Sequence, residues 1–245
     1  MREKKRRKRR LASFIVAAGL ATLTGVSIWA ASNNVVVAGV ADIWLAGQPN
    51  GTVLGADSAP VNSPVLASTG LNMTAGSFLT FSATGATGHD PCCQSTSPDG
   101  GGFSTFSSGP FNGIANYNGP LNALVGVFVD SNVPGGVAPA GLDFTSGASQ
   151  SAPTISPLLN QVFFIGDGLT GTGSGSVQQF VIPTGATRLF IGSSDGGGAS
   201  LNNNGSFSVT VSDTTQVPAM SSTLIVLTGL MLLTLGSYTL WRRMA

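Results

Sequence analysis

Residues 205–211 read Gly-Ser-Phe-Ser-Val-Thr-Val, an alternation of polar and apolar residues. Successive side chains of a β-strand point to opposite faces, so Phe207, Val209 and Val211 are expected to share one buried face. Five further segments combine β-branched or aromatic residues with turn residues at their ends: 78–82, 123–129, 161–165, 179–182 and 187–191. No segment between the chain ends has a helical period. The pattern predicts an all-β sandwich or jelly roll.

The charges are distributed very unevenly along the chain. Eight of the eleven basic residues lie within the first ten positions, and Arg242 and Arg243 lie at the C-terminus. Between Asn33 and Gln216 there are nine Asp residues but no Lys or Glu, which nets to about −8 with Arg188. Nucleic acid is excluded as a partner because its phosphates require Lys and Arg. Hard cations suit this composition because they take oxygen ligands.

The N-terminal segment has the layout of a secretory signal. A basic stretch, 1–10, precedes an uncharged apolar stretch, 11–30, and Ala30-Ala31-Ser32 offers a cleavage site of small residues. The alternative for the basic run is a nuclear-localisation or nucleic-acid patch, which the apolar run behind it disfavours. An uncleaved anchor is a further alternative. We therefore expect a signal peptide over 1–32 and an exported domain over 33–216.

The C-terminal segment, 217–245, has the layout of a membrane segment with a stop. Residues 224–241 are uncharged, mostly apolar and just long enough to span a bilayer, and Arg242 and Arg243 then stay inside the cell. Val-Pro-Ala-Met-Ser at 217–221, followed by this helix and the Arg pair, resembles the PEP-CTERM sorting signals. Pro218 and Ser221 match that motif, whereas its Glu and second Pro are absent.

The resemblance to PEP-CTERM signals implies how the chain is processed and where it ends up. An exosortase-like membrane transpeptidase would cut near the motif. The protein would then pass to the cell envelope, cell surface or exopolysaccharide matrix of a Gram-negative-type bacterium. The segment 41–52 at the start of the domain also resembles exported proteins that carry such tails. A plain membrane anchor is the alternative.

The loop before the last strand carries the candidate metal ligands. It places Asp195 and three Asn residues, 202–204, in a Gly-rich stretch between two predicted strands. Calcium takes six to eight oxygens from such a mixture of carboxylates, amides and carbonyls. The spacing is not that of an EF-hand. A solvated turn is the alternative, because Asn and Asp favour turns without any metal.

This loop and the strand that follows it resemble the C-terminal end of the calcium-dependent galactophilic lectins of the LecA type. That resemblance implies a galactose-binding-like β-sandwich holding sugar through a bound calcium ion. It places the calcium ligands on the side chains of Asp195, Asn202 and Asn203 and on the backbone oxygens of Ala199 and His89. Similar residues also occur at 181–191 and 122–125.

The sugar contacts of those lectins are only partly retained. Their His-Pro pair with a Gln two residues beyond corresponds here to Gly109, Pro110 and Asn112. The resemblance therefore implies a sugar site of Asp195, Asn202, Asn112 and Pro110 without a defined galactose specificity. The competing expectation is a structural or adhesive matrix protein in which calcium only stabilises a loop.

Two smaller features complete the expectations. Cys92 and Cys93 are adjacent and can form a vicinal disulfide or bridge two chains in an oxidising compartment. His89-Asp90 is a candidate acid–base pair, but the chain has no G-x-S-x-G motif, no second His and no Glu between its ends. We therefore expect that the protein is not an enzyme.

Overall fold

The structure, a computed structural model, describes residues 30–60, 63–89, 95–101 and 106–214. The helices in these ranges are short: 3-10 helices at Ile43–Leu45 and Ser200–Asn202, and α1, Gly147–Gln150. The strands are β1 Ser32–Ala38, β2 Val53–Leu54, β3 Asp57–Ser58, β4 Val65–Leu66, β5 Phe78–Gly88, β6 Phe106–Ser108, β7 Tyr117–Gly119, β8 Leu124–Val129, β9 Leu142–Asp143, β10 Thr154–Ile155, β11 Val162–Phe164, β12 Leu169–Gly171, β13 Ser174–Val177, β14 Gln179–Val181, β15 Arg188–Ser193 and β16 Asn204–Thr214.

One of the two main sheets is built around β16, the strand that contains the alternating segment 205–211. Its order is β1-β16-β5-β14-β10, and β16 pairs antiparallel with β5 along eleven positions, from Asn204 opposite Gly88 to Thr214 opposite Phe78. Phe207, Val209 and Val211 are 0–2 % exposed, which confirms the predicted inner face of β16. The sheet is therefore amphipathic, with one face in the core.

The second main sheet has the order β11-β8-β15-β4 and packs against the first. The ring of Phe163 in β11 lies 5.6 Å from that of Phe180 in β14, so aromatic contacts join the two sheets. Every residue of β8 is buried. The sheet β6-β7-β9 adds a further layer through Phe144, whose ring lies 6.0 Å from Phe164. The all-β prediction is confirmed over the described residues.

The two ends of the described fold lie side by side. Ala31 exchanges hydrogen bonds with Asp213: its N–H donates to Oδ1 at 2.7 Å, and its carbonyl accepts from the Asp213 N–H at 2.9 Å. A cut after Ser32 would therefore remove these bonds and the first residue of β1. The described ranges contain no helix with both the length and the apolar content needed to cross a bilayer.

Several predicted features lie outside the described residues. They are most of the signal peptide, the cysteine pair Cys92 and Cys93, and the C-terminal segment. That segment includes the sorting-signal residues Pro218, Ser221, Arg242 and Arg243.

Candidate calcium and sugar site

Three strand ends meet at the predicted site. Strand β5 ends at Gly88, and Gly88 pairs with Asn204, so His89 and Asn203 are neighbours just beyond the ladder. Strand β15 ends at Ser193, and Asp195 follows two residues later. The imidazole Nδ1 of His89 lies 3.3 Å from Oδ2 of Asp195. His89 and Asp195, which are 106 positions apart in the sequence, are thus brought to one edge of the sandwich by the two main sheets.

Asp195 is the buried acid of this edge. It is 4 % exposed, and its Oδ1 accepts the N–H of Gly196 at 2.6 Å. The prediction used only the backbone oxygen of His89, whereas the structure also places the His89 imidazole, 32 % exposed, against the carboxylate. A cation bound by both oxygens of Asp195 would therefore compete with the imidazole for Oδ2.

Asn203 provides the clearest vacant ligand atom of the predicted set. It is 7 % exposed, and its Nδ2 donates to the carbonyl of Gly39 at 3.1 Å. Its Oδ1 is buried and has no hydrogen-bond partner. Because an unpartnered buried acceptor is costly, a cation or a water that binds it would be stabilising. The donor set fits a calcium ion on this observation.

The other two predicted ligands lie on the outer part of the loop. Asn202 and Ala199 are both exposed. The N–H of Ala199 donates to the carbonyl of Gly196 at 2.8 Å, which closes the turn after Asp195. The structure thus brings Asp195, Asn203 and His89 together at the base of the loop and leaves Asn202 and Ala199 facing outward.

Asn122 is a polar residue of this edge that the sequence argument did not assign to the site. It is 2 % exposed, its N–H donates to the carbonyl of Ser194 at 2.8 Å, and its Oδ1 has no partner. Its φ of 57° lies in the left-handed region, which Asn tolerates better than most residues. The available sequence signal for Asn122 was its place directly before the predicted strand 123–129, which has no polar side chain.

Two buried acids hold the loop from below. Oδ2 of Asp42 accepts the N–H of Gly198, and Oδ2 of Asp57 accepts the N–H of Ser200, both at 2.8 Å. Gly198 has φ +78°, and a Cβ there would lie 2.5 Å from the carbonyl oxygen of Leu54. Only glycine fits this approach of two backbones. Neither acid was predicted from the sequence to belong to the site.

The predicted sugar segment lies beside the loop. The N–H of Gly197 donates to Oγ of Ser108 at 2.9 Å, and a Cβ at Gly197 would meet the ring of Phe111. Pro110 is exposed, whereas the Asn112 amide donates to the carbonyl of Trp44 at 3.0 Å. Pro110 and Asn112 are therefore near the loop, but the side-chain nitrogen of Asn112 already donates to a backbone carbonyl.

The structure explains why no histidine precedes Pro110. Gly109 has φ +91°, and a Cβ at this position would lie 2.7 Å from the indole nitrogen of Trp44. A histidine does not fit this backbone without a shift of the buried tryptophan. The departure from the lectin pattern is thus built into the packing of this chain.

Two features of the described residues concern other kinds of site. No three His, Cys, Asp or Glu side chains cluster at metal-binding distance within them, so the expected site depends on amide and carbonyl oxygens. A shallow groove of about 270 Å³ lies on the outer face of the sheet between β1, β5 and β16, away from the loop. Ser, Thr, Asn and Val line it, and no titratable residue does.

Comparison with known proteins does not assign this chain to a family. No family model matches it, and no curated protein matches it significantly.

Proposed function

We propose that this protein is exported to the surface or exopolysaccharide matrix of a Gram-negative-type bacterium and binds carbohydrate through calcium. Its sandwich would be of the galactose-binding-like, jelly-roll kind. The calcium ion would be held by Asp195, Asn203 and Asn202 with the backbone oxygens of Ala199 and His89. The observation that carries the proposal is the buried, unpartnered Oδ1 of Asn203 at the same edge as Asp195.

The exposure of the ligands supports a sugar site on the outer side of the ion. Asp195 and Asn203 are buried below, whereas Asn202 and Ala199 are exposed above. Calcium accepts six to eight oxygens, so vicinal hydroxyls of a sugar can complete a coordination sphere that the protein leaves open. Pro110 would flank the sugar from the neighbouring segment. No enzymatic activity is proposed.

Glycan binding by the full-length chain, solubilised in mild detergent, tests this proposal. We expect binding on a glycan array with calcium and none with EGTA. Asp195→Asn keeps the size of the side chain but removes its charge, and should abolish both calcium and glycan binding. Asp143→Asn is the matched control because Asp143 is exposed and lies elsewhere on the surface. Calcium binding that survives Asp195→Asn would refute the site.

A structural or adhesive matrix protein is the second candidate function. The observation that favours it is the Asn112 amide, which donates to the carbonyl of Trp44 rather than facing outward to a ligand. In that case calcium would raise the melting temperature, and no glycan would bind. The array and the melting curve together therefore separate the two candidates.

Export and sorting are tested by the mass of the mature protein. Loss of 1–32 and of the region after the Pro218–Ser221 motif is expected in the native host. When the exosortase gene is deleted, 1–32 should still be lost and the C-terminal region should be retained. A mature protein that keeps its C-terminal helix would show that the tail is a plain anchor.

A further inference from the structure

The acids Asp42 and Asp57 form a fully buried pair beneath the loop 195–203. Both residues are 0 % exposed, and Asp57 is close enough to Asp42 to raise the pKa of its carboxyl. Burial and the neighbouring Asp57 raise the pKa of the Asp42 carboxyl, whereas the N–H groups of Gly198 and Trp44 lower it. None of these groups is cationic. Two buried carboxylates without a positive partner are strongly unfavourable.

Positive charge from side chains is scarce in the described residues. Arg188 and His89 are the two residues there that can carry it. The Nε of Arg188 donates to the carbonyl of Asp130 at 2.8 Å, and the imidazole of His89 lies against Asp195. Within the described residues, therefore, no cationic side chain is found among the groups that act on Asp42.

Three unpartnered oxygens point to a cation. Oδ1 of Asp57 and the hydroxyls of Ser193 and Ser200 are buried without hydrogen-bond partners, and both serines are 0 % exposed. Ser193 forms a parallel bridge with Asp42, and paired residues direct their side chains to the same face of a sheet. Ser200 contacts Asp57 directly through its own N–H.

We propose that Asp42, Asp57, Ser193 and Ser200 form a second, buried calcium site below the loop. Its donors are carboxylate and hydroxyl oxygens, the ligand type of a hard cation. A divalent ion balances the two carboxylates and gives the three unpartnered oxygens a partner. This inference does not rest on the proposed function, because it shares no ligand with the Asp195 site and requires no sugar.

The electrostatics of the pair agree with this site. Burial, with a smaller contribution from the neighbouring Asp57, raises the pKa of Asp42 to about 7. Because the two acids hold the N–H groups of Gly198 and Ser200, an ion between them would also fix the base of the loop that carries Asp195.

Calcium stoichiometry on the full-length chain in detergent, by titration calorimetry with calcium alone, tests the inference. We expect two ions per wild-type chain, one in Asp57→Asn and one in Asp195→Asn. Asp213→Asn is the matched control: Asp213 is 4 % exposed, accepts two backbone N–H groups, from Ala31 and Asn72, and lies at the end of β16 opposite the loop. It should still bind two ions.

Each other stoichiometry has a definite meaning. One ion that is lost in Asp195→Asn but kept in Asp57→Asn would overturn the buried site and leave the proposed function standing. One ion that is lost in Asp57→Asn but kept in Asp195→Asn would do the reverse. No ion in the wild-type chain would overturn both.

The hydroxyl variants guard against a carboxyl variant that does not fold. Ser193→Ala and Ser200→Ala remove side-chain oxygens that have no partner, so they break no side-chain hydrogen bond of the fold. Removing a group that only orients a metal ligand typically lowers metal affinity 10–100-fold, so each variant should weaken the buried site by about tenfold or more. Ser208→Ala, on the exposed face of β16, is the control. Unchanged affinity in both buried variants would overturn the buried site.

Discussion

The substitution Asn203→Ala separates the structural role of Asn203 from its proposed role as a calcium ligand. In the calcium-free protein it leaves the carbonyl of Gly39 without the Asn203 amide at 3.1 Å, at a cost of about 1–3 kcal/mol. It also removes the buried, unpartnered Oδ1, whose burial is unfavourable by a similar ~1–3 kcal/mol. The two effects oppose each other, so we expect a change in unfolding free energy of no more than about 2 kcal/mol.

Calcium changes this balance because only the wild-type amide offers the ion an oxygen. At a calcium concentration of 100 times Kd, one site adds about 2.7 kcal/mol of stability. For a domain of this size each kcal/mol shifts Tm by roughly 2–4 °C, so the site is worth about 5–11 °C. The buried Asp42–Asp57 site would contribute equally to both proteins. The prediction is therefore that the calcium-induced rise in Tm is smaller in Asn203→Ala by about 5–11 °C.

Thermal unfolding in EGTA and in calcium, followed by tryptophan fluorescence, measures both numbers, since Trp44 is fully buried. Asn33→Ala is the matched control, because the Asn33 amide also donates to a backbone carbonyl, that of Ala67, at 3.0 Å. Asn33 lies in β1, the strand that ends directly before Gly39. The control should lose stability and keep the full calcium shift. An undiminished calcium shift in Asn203→Ala would refute the ligand role, and a loss far above 2 kcal/mol in EGTA would refute the cancellation of the two effects.

Three further substitutions test other parts of the structure. Gly126→Ala should lower stability by about 1–3 kcal/mol in urea unfolding, because its Cβ would lie 2.7 Å from the ring of Phe163, whereas Gly147→Ala, with open space around its Cβ, should be nearly neutral. Burial raises the pKa of Asp99, so its contribution to stability is full below the pKa of the unfolded carboxyl and is lost as pH rises through the folded pKa; Asp99→Asn should flatten this decline in denaturant titrations at several pH values. Gly109→His should lower Tm without creating galactose binding on the array, because φ is +91° and its Cβ would clash with the buried indole nitrogen.

The long strands were predictable because their signal is local. In β16 every second residue, Phe207, Val209 and Val211, is buried, and this alternation is readable without knowing the partner strand. All six predicted strand segments coincide with strands in the structure. Strand β1 was missed because the three consecutive valines at 35–37 show no alternation in the sequence, although their burial alternates: Val37 is fully buried, whereas Val36 is 65 % exposed.

The short strands carry no comparable signal. Strand β9, for example, consists of Leu142 and Asp143 and exists because it pairs in parallel with β7, which begins at Tyr117. Such pairing is decided by the packing of remote segments. A window of local sequence therefore contains too little information to predict it.

The candidate site divides in the same way. Asp195, Asn202 and Asn203 lie within one loop, so composition alone suggested oxygen ligands. Asp42 and Asp57 reach that loop from 156 and 143 residues away, through the N–H groups of Gly198 and Ser200. Only the folded chain shows that these acids are neighbours.

The treatment of acidic residues connects the fold to the proposed function. The described residues contain no Lys, yet each of their carboxylates accepts at least one backbone N–H group; they are Asp42, Asp57, Asp99, Asp130, Asp143, Asp167, Asp195 and Asp213. Backbone donors offset the burial of a carboxylate only partly, since they carry no full charge. The exposed acids need nothing more, because water solvates them. The buried acids are Asp42, Asp57, Asp195 and Asp213. Asp213 accepts two backbone N–H groups; for the other three, around 195–203, we propose that a divalent cation supplies what Lys and Arg supply elsewhere. Calcium would then be part of how this loop reaches its folded shape, and any sugar would bind to a surface that the ion has already ordered.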